Sequence, residues 1–238
     1  MALPANRGSR DLKLAIFDLD NTLLGGDSDY LWGRFLVEQG LVDGDWHARE
    51  NERFYQEYKA GTLDIFEYQR FALGPVAGRT PEEVARWHQR FMAEKIVPLM
   101  LPAAHELLAR HRKAGDFLLI ITATSRVVTA PIAEAFGVDH MLATEAELVD
   151  GRYSGNMIDV PCFQDGKVKR LERWLATTGF NLAGAWFYSD SHNDLPLLER
   201  VDNPVAVDPD DTLLDHARAK GWPVISLRGQ DFGAVGNG

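Results

Sequence analysis

The sequence predicts an α/β fold, in which a Rossmann-like parallel sheet carries helices on both faces and an all-helical cap domain is inserted into it. Two observations lead to this prediction. Short apolar runs alternate with helical patterns along most of the 238 residues, which is typical of strands joined by crossover helices. A block of helical patterns without a convincing strand interrupts this alternation after the first apolar run.

Six apolar runs are the predicted strands of the sheet. Each run is short, as expected for strands that are buried on both faces of a parallel sheet. The runs are residues 13–17, 117–121, 138–143, 185–188, 204–207 and 223–226.

Four helical patterns separate these runs and supply the layers that cover the sheet. The pattern over 102–114 begins at Pro102 and is closed by Gly115, and these residue types favour the start and the end of a helix. The other patterns cover 126–136, 167–178 and 211–220.

The helical block between the first two strands is the predicted cap domain, residues 25–95, and residues 1–24 and 96–238 form the predicted catalytic core. Thr80-Pro81-Glu82-Glu83 has the pattern of a capping box with proline at the first helical position. The block holds 12 of the 24 aromatic residues. Most of them are expected to form the core of a helical bundle, which leaves a few to line a substrate pocket near the sheet.

Composition narrows the possible partners and the compartment. The net charge of −10 argues against a nucleic-acid or anionic-membrane partner, because phosphate backbones are bound by basic surfaces. A small phosphorylated metabolite needs only a local electropositive pocket. The single cysteine, Cys162, cannot form an intrachain disulfide. No apolar run approaches membrane-spanning length, so a cytoplasmic location is expected, whereas the oligomeric state is left open.

The run Phe17-Asp18-Leu19-Asp20-Asn21-Thr22 carries the strongest functional signal. It places two carboxylates two residues apart where the first apolar strand stops, and alternation along a strand would point both to one side. Ligands bind at the carboxyl ends of strands in open α/β sheets. The pattern therefore indicates an aspartate nucleophile with a partner acid, although the same residues also suit a turn that caps the next helix.

Three later segments strengthen the functional interpretation. Thr122 follows the second core strand, where a hydroxyl and neighbouring N–H groups can hold phosphate oxygens, although Thr124 or Ser125 could equally serve as a helix N-cap. Lys167 begins a helix and could neutralise a phosphate and an aspartate together. Asp190 and Asp194 follow an aromatic strand, and the first of these is well placed for a hard cation.

Charge balance predicts a metal ion. The four carboxylates Asp18, Asp20, Asp190 and Asp194 are offset only in part by Lys167. Without a cation, several acids held close together would have to protonate or move apart. Mg²⁺ fits because it prefers oxygen ligands and is usually held by one or two carboxylates.

In this order and spacing, these residues resemble the haloacid-dehalogenase-like hydrolase superfamily over nearly the whole chain. Its four motifs correspond to Asp18-Leu19-Asp20-Asn21-Thr22, to Thr122, to Lys167, and to the pair Asp190 and Asp194. A cap after the first strand is similar to that of the phosphoserine-phosphatase-like branch. The runs DNTLLGGDSD and Gly166-Lys167-Val168 also resemble a group of small bacterial histidinol-phosphate phosphatases.

The resemblance implies a phosphatase mechanism. Asp18 would attack phosphorus and form an aspartyl-phosphate, and Asp20 would protonate the leaving alcohol and then activate water. Mg²⁺ would be held by Asp18, by the backbone carbonyl of Asp20 and by Asp190, with Asp194 orienting this set from behind. The transferring phosphoryl group would be bound by Thr122, Lys167 and Asn193.

The resemblance also suggests a class of substrate. A substrate-recognising glutamate of the phosphoserine-phosphatase-like branch corresponds by spacing to Asp27, and an acid there suits a substrate that carries an ammonium group. The departures from the usual fourth motif, at Ser189 and Ser191, and from the usual second motif, at Ala123 and Thr124, put phosphoserine itself in doubt. Histidinol phosphate is therefore the expected substrate and phosphoserine is the alternative.

Three other classes of protein remain open on the residues alone. A phospho-accepting receiver domain also places aspartates, a threonine and a lysine around Mg²⁺, but the insertion after the first strand and the acid–base residue Asp20 argue against it. A dehalogenase has little use for Asp20, because halide leaves without a proton. The intact motif set argues against an inactive binding module.

Overall fold

The computed structural model describes residues 12–230, and over these residues the chain forms one seven-stranded sheet. The strand order is β4-β3-β2-β1-β5-β6-β7, so β1 lies at the centre. The strands from β3 to β7 in this order run parallel to one another, and the edge strand β4 pairs with β3 in the antiparallel direction. The predicted α/β class with a Rossmann-like sheet is confirmed.

The strands of the sheet have these bounds: β1 Leu14–Phe17, β2 Phe117–Ser125, β3 His140–Val149, β4 Arg152–Ile158, β5 Trp186–Ser189, β6 Asn203–Val207 and β7 Val224–Ile225. The α-helices of the described residues are α1 Ser28–Glu38, α2 Gly44–Lys59, α3 Ile65–Leu73, α4 Pro81–Phe91, α5 Pro102–Ala114, α6 Arg126–Phe136, α7 Asp165–Thr178, α8 Leu195–Leu198 and α9 Asp211–Lys220. None of them is both long and apolar enough to cross a membrane.

The hairpin of β3 and β4 departs from the prediction. The strand predicted over 138–143 runs from His140 to Val149 in the structure. The chain then reverses direction and forms β4, a strand that the apolar pattern did not predict. The sequence RYSGNMI of β4 is mostly polar, and most of its residues are half-buried or exposed. Because the pairing of β4 with β3 supplies the regular structure, apolar periodicity did not reveal it.

Alternation along β1 divides the core into two layers. Ala15 and Phe17 face one hydrophobic cluster, which also takes side chains from α5 and α6. Leu14 and Ile16 face the other cluster, which takes side chains from α7 and α9. Burial of β1 on both faces explains why its sequence is a continuous apolar run.

Helices α1 to α4 occupy the region of the predicted cap. Thr80 and Glu83 form the expected capping box at the start of α4, where the Thr80 Oγ1 accepts from the Glu83 N–H and the Glu83 carboxylate accepts from the Thr80 N–H. Trp32, Phe35 and Phe91 pack together in the bundle interior. The β3–β4 hairpin packs against α3, so this bundle rests on the sheet beyond the ends of the central strands.

Candidate active site

The carboxyl ends of the central strands bring the predicted residues together. Phe17 of β1 lies beside Ile120 of β2 and Tyr188 of β5, and Asp18 comes next in the chain. The Asp18 N–H donates to the Tyr188 carbonyl over 2.9 Å, which continues the pairing by one residue. The segments that follow β1, β2 and β5 therefore open into the same space, as expected for a parallel sheet.

Lys167 joins two of the predicted acids. Its Nζ lies 2.6 Å from Oδ1 of Asp18 and 2.7 Å from Oδ2 of Asp194, and the lysine is only 3% exposed. Burial opposes the charge on Lys167, but Asp18 and Asp194 outweigh it and raise the lysine pKa. Ser189 Oγ donates to the same Asp194 oxygen over 2.6 Å, so Asp194 holds the lysine in place.

Asp190 reaches the same cluster through Thr22. The Thr22 hydroxyl lies 3.0 Å from Oδ1 of Asp190 and 3.4 Å from Oδ2 of Asp18, and it accepts from the Asp190 N–H over 3.1 Å. Burial raises the pKa of Asp190 well above its usual range, and the charges of Asp18 and Asp194 add to this effect. Burial also raises the pKa of Asp18 to about 7, although Lys167 acts in the opposite direction.

Asp20 has a different set of partners. Its Oδ1 accepts from the Ser28 N–H over 2.6 Å and its Oδ2 accepts from the Thr124 hydroxyl over 2.8 Å. Burial raises its pKa to about 6, and the nearby Asp27 contributes. A carboxyl with a pKa near neutrality can both give and take a proton under physiological conditions.

Thr122 and Asn193 lie at the edges of this cluster. Thr122 is buried, and its Oγ1 accepts from the Thr124 N–H over 3.2 Å. Asn193 Oδ1 accepts from Gln164, and its Nδ2 donates to the Ser191 hydroxyl. Both residues line the same pocket as Asp18 and Asp20. The N-cap residue of helix α6 is Ser125, whose Oγ accepts a hydrogen bond from the Val127 N–H. Thr124 does not cap the helix, and its hydroxyl donates to Asp20.

Asp27 begins the cap and also lines the pocket. It is the N-cap of α1, because its Oδ1 accepts from the N–H groups of Asp29 and Tyr30. Burial raises its pKa to about 6. Asp29 borders the pocket beside it, accepts a hydrogen bond from Tyr68, and has a pKa raised by burial to about 7.

The pocket between the sheet and the cap contains about 670 Å³ of space that no atom fills, a volume that includes its opening to solvent. Its floor is the acidic cluster with Lys167. Its far wall consists of side chains from the cap, mostly aromatic or apolar: Tyr30, Phe54, Tyr55, Tyr58, Leu63, Ile65 and Tyr68. Tyr30, Phe54, Tyr55, Tyr58 and Tyr68 are among the 12 aromatic residues of the block over 25–95, a few of which were expected to line a substrate pocket.

The donor set suits a hard cation. Among residues 12–230, no group of three or more His, Cys, Asp or Glu side chains is arranged to hold a metal ion. Mg²⁺ needs only one or two carboxylates, with water and substrate oxygens completing its shell. Asp18 and Asp190 supply two carboxylates that share the Thr22 hydroxyl. Burial is the main cause of the raised pKa of Asp190, and the like charges of Asp18 and Asp194 add to it. A cation beside these carboxylates would offset that repulsion, so the residues fit Mg²⁺.

Several contributors to the site were not predicted as site residues. Thr22, Ser189 and Thr124 support Asp190, Asp194 and Asp20 respectively. Each of the three residues lies within or beside a predicted motif, so its position in the sequence could have indicated that it belongs to the site. Tyr68 and Gln69 of α3 carried no such signal, because they look like ordinary residues of an amphipathic helix.

A family model described as haloacid dehalogenase-like hydrolase matches residues 15–199, a range that contains the whole cluster. The chain belongs to this family. Its predicted membership is therefore confirmed, and the family is not that of the receiver domains considered as an alternative.

Named relatives agree with this membership. The chain is 45% identical over 219 residues to a histidinol-phosphatase of Neisseria meningitidis, covering 90% of this chain and 99% of that protein. It is 32% identical to a phosphoserine phosphatase of Mycobacterium tuberculosis, covering 90% and 70% of the two chains. The predicted class of enzyme, a phosphatase, is confirmed by the family and these relatives.

Solved structures agree with the fold. A protein of unknown function from Bordetella pertussis Tohama I has a TM-score of 0.86 and 44% identity, covering 91% of this chain and 99% of that one. A substrate-bound phosphoserine phosphatase has a TM-score of 0.66 at 17% identity, covering 92% and 94%. At that identity the likeness concerns the fold alone.

Proposed function

We propose that this protein is a Mg²⁺-dependent phosphatase that acts on the phosphomonoester of a small amine-bearing metabolite, with L-histidinol phosphate as the best match. The observation that carries the proposal is the pairing of the Asp18–Lys167–Asp194 cluster with an acidic and aromatic cap wall in one pocket. The first part suits a phosphoryl group, and the second suits a cationic, ring-bearing leaving group.

The chemistry begins at Asp18. One carboxylate oxygen of Asp18 attacks phosphorus, and the bond from phosphorus to the leaving oxygen breaks to give an aspartyl-phosphate. Asp20 donates its proton to that leaving oxygen, and its pKa of about 6 keeps a protonated fraction available near neutral pH. Asp20 then takes a proton from water, which attacks phosphorus and regenerates Asp18 as inorganic phosphate forms.

Lys167 and Thr122 are proposed to bind the phosphoryl oxygens, with Asn193 at the edge of the pocket. Lys167 already lies 2.6 Å from Asp18, so a phosphate that reaches the nucleophile also reaches the ammonium group. When bound, Mg²⁺ would supply positive charge that neutralises the phosphoryl oxygens. Asp18, the Asp20 carbonyl and Asp190 would hold it, and Asp194 would orient the set through Lys167.

The charge of the pocket favours histidinol phosphate over phosphoserine. Asp27 and Asp29 offer carboxylates to an ammonium group, which both substrates carry. Phosphoserine also carries a carboxylate, which calls for a cation. Among the described residues that line the pocket, the basic side chain is that of Lys167, and it is already held by two aspartates. The 45% identical relative is itself named a histidinol-phosphatase.

Residues 25–95 are proposed to act as a cap domain that selects the leaving group. The backbone N–H of Ser28 contacts Asp20, and the ring of Tyr58 lies 6.2 Å from that of Phe163 in the core. These contacts support a role of the cap in excluding water from Asp20 during phosphoryl transfer. A cytoplasmic location remains a prediction from the sequence.

Phosphate release from L-histidinol phosphate and L-phosphoserine, side by side, tests the proposal. The expected result is rapid release from histidinol phosphate with Mg²⁺, its loss with excess chelator, and its absence in Asp18→Asn. Preference for phosphoserine would transfer the function to that substrate. Failure to hydrolyse either ester or a generic aryl phosphate would overturn the enzyme mechanism.

A further inference from the structure

Gln69 of α3 is a buried polar residue that the proposed chemistry does not use. Its side chain is 1% exposed, yet neither its Nε2 nor its Oε1 has a hydrogen-bond partner. Buried amides are nearly always paired, because an unpaired one loses its bonds to water without compensation. An orphaned amide therefore points to a partner that arrives with a ligand.

The position of Gln69 in the pocket identifies which part of a ligand it would meet. Gln69 borders the pocket that contains Asp18, whereas His47, another orphaned polar residue of the cap, does not line it. Gln69 lines the pocket and its amide has no partner within the protein, so we expect a ligand that fills the pocket to supply that partner.

Two carboxylates line the pocket together with Gln69. The Asp29 N–H donates to Asp27 Oδ1 over 3.0 Å, and Asp29 accepts a hydrogen bond from Tyr68, the neighbour of Gln69 in α3. The pocket wall therefore offers both carboxylates for an ammonium group and an amide for a polar ring. In histidinol phosphate the ammonium group is close to the ester and the ring lies farther out.

We propose that Gln69 is a specificity-determining residue that hydrogen-bonds the heteroaromatic ring of the leaving group. Its amide offers one acceptor and two N–H donors, and a neutral imidazole offers one N–H and one bare nitrogen. Aromatic neighbours such as Phe54, Tyr55 and Tyr68 supply flat apolar surface for the ring. A phenyl ring would fill the same space and leave the amide unpaired. This inference rests on the proposed function.

The test compares two substrates that differ only in the ring, L-histidinol phosphate and L-phenylalaninol phosphate. Wild-type protein should prefer the imidazole substrate, because a site built to hydrogen-bond a polar group rejects the analogue that lacks it. Gln69→Met keeps the length of the side chain and removes the amide. We expect it to lower the ratio of kcat/KM values for the two substrates by about 10- to 100-fold, with aryl phosphate hydrolysis within about twofold of wild type.

Thermal unfolding of the ligand-free protein separates recognition from structure. Gln69→Met removes an unpaired buried amide, so its Tm should equal or exceed that of wild type, whereas a structural glutamine would lower Tm when replaced. Gln89→Met is the matched control, because Gln89 is exposed on helix α4 of the cap. This control variant should change neither the ratio of kcat/KM values for the two substrates nor Tm. If Gln69→Met does not fold, Gln69→Leu takes its place with the same expectations.

The outcomes distinguish this inference from the proposed function. A wild-type preference for imidazole that survives in the Gln69 variants overturns the role of Gln69 and leaves the phosphatase proposal standing. A parallel loss of aryl phosphate hydrolysis and Tm also overturns it, since both would reflect damage to the cap. Wild-type protein that hydrolyses aryl phosphate but not histidinol phosphate overturns both proposals.

Discussion

Asp18 and Asp20 show how partners divide two neighbouring carboxylates between two tasks. Asp18 contacts the Lys167 ammonium over 2.6 Å, which favours its charged, nucleophilic form, although burial still raises its pKa to about 7 in the ligand-free protein. A bound Mg²⁺ would lower that pKa further. Asp20 contacts a backbone N–H and a hydroxyl instead. Without a cation beside it, Asp20 holds its proton more readily than an exposed aspartate, as the acid role requires.

The acid role of Asp20 can be tested with leaving groups of different quality. Asp20→Asn should lower kcat for an alkyl phosphate such as histidinol phosphate by about 100- to 10,000-fold. It should lower far less the single-turnover rate at which p-nitrophenyl phosphate releases nitrophenolate and forms the aspartyl-phosphate, because nitrophenolate leaves without a proton. Asp18→Asn is the comparison, since loss of the nucleophile should abolish cleavage of both esters. An equal effect of Asp20→Asn on both leaving groups would contradict the acid role.

The charge on Asp27 can be separated from its capping role. Asp27→Asn keeps the Oδ1 that accepts from Asp29 and Tyr30, but removes the negative charge. It should raise KM for amine-bearing substrates by about tenfold, in line with the loss of a charge-assisted contact, and leave aryl phosphate hydrolysis and Tm nearly unchanged. Asp27→Ala should in addition lower stability by about 1 kcal/mol, because α1 loses its N-cap. Equal kinetics of Asp27→Asn and wild type on histidinol phosphate would exclude Asp27 from amine recognition.

Asp29 should make the ligand-free protein less stable as the pH rises. Its pKa is raised from 3.8 to about 7, so between these values the folded chain keeps a proton that the unfolded chain releases. Its stabilising contribution is complete below about pH 4 and is lost as the pH rises through 7, at up to about 1.4 kcal/mol per pH unit. Urea unfolding at pH 5 and pH 8 should therefore show a larger loss of stability for wild type than for Asp29→Asn. Identical losses would mean that Asp29 ionises normally.

At the scale of elements, the start of α7 depends on a glycine. Gly166 approaches the preceding loop so closely that an added Cβ would lie 1.9 Å from the carbonyl oxygen of Pro161. The next residue is Lys167, whose ammonium group joins Asp18 and Asp194. The close approach therefore fixes where the helix begins and, through it, where the lysine enters the site.

Gly166→Ala should damage both the fold and the site. The clash is with backbone, which cannot rotate away, so we expect a loss of at least about 2 kcal/mol in the free energy of unfolding and a marked fall in kcat/KM. Gly44→Ala is the matched control, because its Cβ would meet only the Val37 side chain, at 3.6 Å, and alanine favours helix. Denaturant unfolding and aryl phosphate assays measure both effects. A fully stable and active Gly166→Ala would contradict the role assigned to this contact.

Sequence predicted the elements of the core where local signals coincide. The helices over 102–114 and 126–136 begin and end as predicted, because glycines with a positive φ, Gly115 and Gly137, close them. The helix predicted from residue 167 begins two residues earlier, at Asp165. The strand β4 was missed because its order comes from pairing with β3, and such non-local pairing leaves little trace in a polar segment.

Sequence also located most of the site but not its outer wall. Asp18, Asp20, Thr122, Lys167 and Asp194 stand in motifs at strand or helix ends, and the topology of a parallel sheet brings such ends together. Tyr68 and Gln69 belong to the site only because the bundle packs over it. No periodicity distinguishes a helix residue that faces a pocket from one that faces a core, so their placement needed the structure.

At the scale of the whole molecule, the ligand-free site stores electrostatic repulsion. Asp18 and Asp194 share one neutralising neighbour, Lys167, whereas Asp190 contacts the Thr22 hydroxyl and is repelled by both acids. Asp20, Asp27 and Asp29 add further buried or half-buried acids on the cap side. Holding these carboxyl groups close together lowers the free energy of unfolding, and this electrostatic destabilisation should decrease when cations bind in the pocket.

Mg²⁺ should therefore stabilise the whole chain. At about a hundredfold excess over its Kd, binding would add about 2.7 kcal/mol, or roughly 5–10 °C in Tm for a chain of this size. Asp190→Asn should lose most of this rise, whereas Asp215→Asn, a change at an exposed position of α9, should keep it. Differential scanning calorimetry with Mg²⁺ and with chelator measures the shifts. An equal rise in Asp190→Asn would place the ion elsewhere.

The contacts between cap and core also bear on how fast the protein can work. The Ser28 N–H bonds Asp20, Tyr58 lies against Phe163, and a methyl group added at Gly61 would come within 3.3 Å of His192 Nε2. If residues 25–95 act as a cap, we expect release of the dephosphorylated alcohol to require these contacts to separate, which would move several helices through solvent. The rate of turnover should then depend on solvent viscosity. Adding sucrose or glycerol should lower kcat for a substrate that is hydrolysed rapidly, and should leave kcat unchanged for a substrate whose chemical step is slow.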